Sequence, residues 1–102
     1  AVDKNLAKAG FSNTGSHVDL VAPGVSVVST YISSTTSYVY MDGTSMATPF
    51  VSGIAALVKS RYPTWSASTI SSRLTSSAQD LGAPGWDSSY GYGLVRADGA
   101  TA

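Results

Sequence analysis

Residues 40–60 read YMDGTSMATPFVSGIAALVKS: a turn, a serine, then a run in which most positions are small or apolar. From Thr44 to about Tyr62 the apolar residues are Met46, Ala47, Phe50, Val51, Ile54, Ala55, Leu57 and Val58. These positions cover most of a helix's circumference instead of one stripe, so the spacing predicts a helix that requires burial on nearly every side, of which a chain this short can cover about one. Lys59 and Arg61 fall in the last turn, where positive charge suits the helix dipole, and Pro63 prevents continuation. Ahead of the helix, Asp42-Gly43 closes an extended stretch, with glycine free to take a positive φ. A serine at such a place is either a helix cap or a nucleophile.

Working outward, VDLVAPGVSVVSTY predicts two strands, Val18–Ala22 and Val25–Tyr31, separated by the turn former Pro23-Gly24. The polar ISSTTS run then leads into a strand over Ser37–Met41, which suggests a hairpin. On the other side, Ser66 is a good N-cap for a second, amphipathic helix with Ala67, Ile70, Leu74 and Ala78 on one face. Residues 1–17 are loop after a short initial strand. The turn-rich remainder holds a short strand near Tyr92–Val95 and a final helical turn. With no repeat or linker, residues 1–102 read as one α/β unit.

A length of 102 residues suits one compact domain with a modest core. Formal net charge is zero, every acidic residue is Asp, and the six basic residues Lys4, Lys8, Lys59, Arg61, Arg73 and Arg96 are scattered. That excludes a nucleic-acid partner, which requires clustered cations against phosphate. Without cysteine there is neither a disulfide framework nor a thiolate metal site. The apolar run Phe50–Val58 is too short to span a bilayer, so no membrane partner is expected. AVDKNLAKAG shows no signal-peptide pattern. The richness in Ser, Thr and Gly suits an extracellular protein.

A nucleophilic serine needs an exposed Oγ, a base, and donors for an oxyanion. A helix N-terminus supplies unpaired N–H groups and a positive dipole end. Pro49 has no N–H to donate to the carbonyl four residues back, which is that of Ser45, so regular hydrogen bonding is relaxed at the serine. Taken in isolation, Gly-Thr-Ser before a helix still has the composition of a cap.

The longer strings bear on that choice. GTSMATPFVSGIAALV resembles the active-serine segment of the subtilisin-like serine proteases, the subtilases, and FSNTGSHVDLVAPG resembles the segment before it. YPTWSASTISSRLTSSA and YGYGLVRADGA are similar to that family's closing helix and C-terminal strand, in the same order. The resemblance implies the C-terminal third of a catalytic domain with a three-layer α/β/α fold and a mostly parallel sheet. It implies a secreted serine endopeptidase acting on proteins or peptides, with Ser45 as nucleophile. The Ser45 N–H would be one oxyanion donor and the Thr44 hydroxyl an auxiliary one, with Gly43 and Met46 beside the site. Phe50 departs from the family, which more often has histidine there. Many members bind calcium, but Asp3, Asp19, Asp42, Asp80, Asp87 and Asp98 match no complete site, so no metal or cofactor is assigned.

The same resemblance places the catalytic Asp, the catalytic His and the oxyanion Asn in segments well ahead of the serine, in the chain order Asp, His, Ser. No matching segment occurs among the forty-four residues before Ser45, and Asn5 and Asn13 stand in other contexts. The lone histidine, His17, lies in NTGSH, where the family has no catalytic base, and Asp42 is expected to shape the turn. The expectation is an endopeptidase segment that is inactive alone and needs the upstream portion of its domain or self-association. The alternative is a non-catalytic, self-associating or partner-binding module with Ser45 reduced to a cap. An α/β-hydrolase elbow is excluded, because Ala47 stands where G-x-S-x-G requires glycine and no histidine follows Ser45.

Overall fold

The computed structural model describes residues 1–102. Extended segments come first: β1 (Val27–Thr30) and β2 (Tyr38–Met41) form an antiparallel hairpin. They are followed by helices α1 (Thr44–Arg61), α2 (Ala67–Ser76) and α3 (Ala97–Thr101). The expected hairpin is present, shorter than Val25–Tyr31 by residues at both ends.

The expected strand Val18–Ala22 is not one. Only Val21 and Pro23 pair there, in a ladder one residue deep: Val2 pairs with Pro23 and Val21 with Leu94, both in parallel. Val2 N–H donates to Ala22 O and Gly24 N–H to Val2 O, so the side of Pro23 facing Val2 needs no N–H from it. On the other side Val21 N–H donates to Gly93 O and Val95 N–H to Val21 O. The next donor in that parallel register is residue 23, and proline has none, so the ladder stops. For the same reason Tyr92–Val95 is reduced to Leu94, which also pairs antiparallel with Gln79.

The core joins this ladder to the helices: Ala22 and Val95 pack with Ala47 and Val58 of α1, Leu74 of α2 and Ala100 of α3. Only 13 of the 102 residues are buried, which makes it a single thin layer. The C-terminal end of α1 is fastened by stacked Tyr62 and Trp65 rings, 3.9 Å apart, with Arg61 over one and Arg73 over the other. Ser66 caps α2 as expected, its Oγ accepting from Thr69 N–H.

Within this chain α1 is covered on one side only, as expected for this length. α2 and α3 cover the side with Ala47 and Val58, while Phe50, Gly53 and Leu57, spaced three and four residues apart, lie exposed on another. The sequence pattern specified how apolar the helix is; 102 residues supply cover for one side.

Candidate active site

Ser45 does not cap α1. Gly43 is the N-cap, no side chain bonds the first turn, and Ser45 is the second residue of the helix, exposed to solvent. Its N–H is therefore among the first four, which no intrahelical carbonyl reaches. Four residues on, Pro49 lies inside the helix and leaves the Ser45 carbonyl without its usual donor.

The turn that presents the serine is held at three points. Gly43 N–H donates to Gly24 O at 2.8 Å, and Met46 N–H to Gly43 O at 3.1 Å. Asp42 Oδ1 accepts from Ser26 N–H at 2.6 Å, and Ser26 is held in left-handed backbone at φ 54. Asp42 thus shapes the turn, as its position suggests. Gly43 has φ 155 and ψ 158, a region open essentially to glycine alone. Gly24 is required by proximity: a Cβ there would stand 2.6 Å from the Gly43 carbonyl oxygen. That role follows from the fold and no sequence signal marks it.

Two grooves flank the helix start. One, of about 410 Å³, lies between the hairpin and α1 and is lined by Ser45, Met46, Pro49 and Phe50 opposite Val27, Val39 and Met41. The other, of about 490 Å³, holds Thr44, Ala47 and Thr48 together with Asn13, His17 and Asp19. Ser45 and Met46 are thus brought together, while Thr44 lines the second groove. His17 faces that second groove as well and does not line the Ser45 cleft. No group of three or more His or Asp side chains is gathered in one place. Sequence reasoning missed the hairpin wall of the cleft. No local pattern marks that wall, since β1 reads VVST and its place depends on the register with β2.

The subtilase family (peptidase S8) matches residues 1–93. The chain belongs to the subtilase family. It is 49% identical over 100 residues to subtilisin DY of Bacillus licheniformis, covering 98% of this chain and 35% of that protein. It is 50% identical over 101 residues to a thermostable alkaline protease of Halalkalibacterium halodurans, covering 99% of the chain and 27% of the relative. The solved structure of MycP1 with its N-terminal propeptide removed superposes with a TM-score of 0.86 at 30% identity, over 100% of this chain and 34% of that one. Fervidolysin from Fervidobacterium pennivorans, a keratinolytic enzyme related to subtilisin, gives 0.84 at 35% identity over 91% and 16%. The subtilase chain thus spans about a third or less of the length of these relatives. Its fold is of their α/β kind, and no helix is long and apolar enough to cross a membrane.

Proposed function

We propose that this chain is the C-terminal part of a subtilase catalytic domain in a secreted serine endopeptidase, and that Ser45 is its nucleophile. The observation that carries the reading is the place of Ser45: exposed in the first turn of α1, on a cleft, with Gly43 already serving as cap. In the reaction the Oγ attacks a peptide carbonyl, an Oγ–C bond forms, and the C–N bond breaks. A base takes the serine proton and delivers it to the leaving amine, after which water releases the acyl group. The Ser45 N–H stabilises the oxyanion, aided by the dipole of α1 and by the Thr44 hydroxyl. Family resemblance assigns the Asp, the His and a further oxyanion Asn to segments outside these residues. The parallel pairs at Val2, Val21 and Leu94 would then belong to a larger, mostly parallel sheet in a three-layer domain.

The parent enzyme is expected to label at Ser45 with a fluorophosphonate and to lose both label and peptide hydrolysis in Ser45→Ala. The 102-residue chain alone is expected to do neither. Labelling of the chain alone, abolished by Ser45→Ala, would reveal a base within it, and His17→Ala is the first variant to try. Undiminished hydrolysis by parent Ser45→Ala overturns the assignment. Secretion is checked by finding the mature enzyme in the culture medium of its source.

A second reading, a non-catalytic module that associates with itself or a partner, is favoured by the exposed Phe50 and Leu57 on α1. The two readings part on whether the parent sequence contains the Asp and His segments.

A further inference from the structure

Of six basic residues scattered along the sequence, the fold gathers three around one aromatic stack. The Tyr62 and Trp65 rings lie nearly parallel, 3.9 Å apart. Arg61 stands 5.1 Å from the Tyr62 centroid, and Arg73 5.7 Å from that of Trp65. Lys59 Nζ reaches the same place, donating to Trp65 O at 3.0 Å. No carboxylate side chain answers them, since the one ion pair of the chain joins Arg96 to Asp98. The dipoles of α1 and α2 account for a cation at each helix end, but not for the donors left over. Arg73 uses Nε on Ala100 O and Nη2 on Ala102 O, and Lys59 uses one of three ammonium hydrogens. The exposed Arg61 fork, laid over Tyr62, keeps its N–H donors for another molecule.

We propose that Lys59, Arg61 and Arg73 form a docking surface for an acidic peptide segment rich in Asp and Glu, at the far end of α1 from Ser45. The helix rises about 24 Å between Ser45 and Arg61. That the segment belongs to a substrate rests on Ser45 being the nucleophile; the surface itself does not. A guanidinium fork matches a carboxylate bond for bond, and the stacked rings offer a flat apolar floor beside it. Three cations suit a few carboxylates, whereas an anionic membrane or a phosphodiester chain is commonly met by a larger set. Cover over Phe50 and Leu57 leaves this end open. Arg61 follows Leu57 by one turn, but its guanidinium is turned over Tyr62. Burying it without a carboxylate would cost more than covering the leucine gains.

The test uses the parent enzyme and, for binding, its Ser45→Ala form. The probe is an Asp/Glu peptide with an uncharged dye, read by fluorescence anisotropy at about 10 mM salt, where charges act over about 30 Å. Binding is expected there and should vanish at about 1 M salt, where that range falls to about 3 Å. The double variant Lys59→Ala, Arg61→Ala should weaken binding at least about tenfold. For turnover, an uncharged cleavable peptide carries the acidic segment on a Gly/Ser linker of about twenty residues, with an r.m.s. span of about 25 Å. Against a Ser/Gly tail, the acidic tail should lower KM at least about fivefold and leave kcat within about twofold. A linker of about two residues cannot span the distance and should give no gain. The double variant should lose the gain yet cleave the untailed peptide at the wild-type rate. Arg61→Glu should favour a Lys-rich tail instead, which loss of fold cannot produce. Absent binding, or binding that neither salt nor the variants change, overturns the surface whether or not the enzyme is active. Tighter binding of polyphosphate or of an anionic-lipid vesicle at equal charge overturns the peptide as occupant. A KM that ignores the tail while the peptide still binds overturns the substrate assignment alone. A parent that cleaves no peptide, or whose cleavage survives Ser45→Ala, overturns the nucleophile and the substrate assignment together.

Discussion

Met46 is half-buried on the cleft that also holds Ser45, so oxidation of its thioether would place a polar, chiral group next to the proposed nucleophile. Mild peroxide is expected to lower peptide turnover by the parent enzyme several-fold, and Met46→Ala is expected to resist that loss. Met41 lines the same cleft from the hairpin and is 41% exposed. Met41→Leu should therefore leave the sensitivity in place; protection by that variant instead would move the relevant site to the hairpin. Gly24 acts through the backbone. An added methyl there meets the Gly43 carbonyl oxygen and the Ala1 Cβ, each at 2.6 Å, and the Gly43 turn must shift and carry Ser45 with it. Gly24→Ala is expected to slow fluorophosphonate labelling of the parent by at least about tenfold, the scale on which small misplacements reduce catalysis. Labelling at the wild-type rate would show that the turn absorbs the methyl without moving the serine.

Among the elements, α2 follows local rules and α1 does not. The Ser66 cap satisfies one of the four free N–H groups of α2, so Ser66→Ala is expected to destabilise the chain by about 1 kcal/mol, read from denaturant unfolding. In α1, Gly53 has no neighbour within 4 Å of the place a Cβ would take. An exposed glycine inside a helix is less favourable than alanine by about 1 kcal/mol, and nothing within this chain gives a reason for it. Close approach of another backbone would. Gly53→Ala is therefore expected to stabilise the isolated chain by up to about 1 kcal/mol and to weaken its association with the rest of the domain. Equal effects on both measurements would remove Gly53 from any contact.

Legibility in the sequence divides along the same line. The helices, the Ser66 cap and the hairpin came from local patterning, where propensity, turn chemistry and fold agree. Val18–Ala22 did not, because its apolar residues satisfy a strand pattern while Pro23 withholds the donor that would extend the ladder. The partial cover of α1 was legible too, because apolar content reports what a helix requires and chain length bounds what 102 residues can supply. At the proposed site, a motif singles out Ser45, Gly43 and Met46 as candidates. It does not single out Gly24, Val27 and Val39, since their part depends on contacts between segments far apart in sequence.

At the scale of the whole molecule the uncovered side of α1 and the unfinished site point to the same missing material. Phe50 is 42% and Leu57 53% exposed, and both stand on a helix whose other side is already in the core. Covering them with the upstream portion of a subtilase domain would bury apolar surface and, by family resemblance, would bring a His, an Asp and an Asn toward Ser45. Mixing the 102-residue chain with that portion is expected to give a one-to-one complex by mass and to restore fluorophosphonate labelling at Ser45. Leu57→Ala is expected to alter the stability of the chain alone by less than about 0.5 kcal/mol, as an exposed position. In the complex the same residue would be buried. There the substitution should weaken association by about 2 kcal/mol or more, roughly thirtyfold in Kd. A chain that stays strictly monomeric and ignores the upstream portion would sink the complementation reading. One that self-associates through Leu57 yet never labels would favour the non-catalytic module, because the apolar side of α1 would then have found a partner that brings no base.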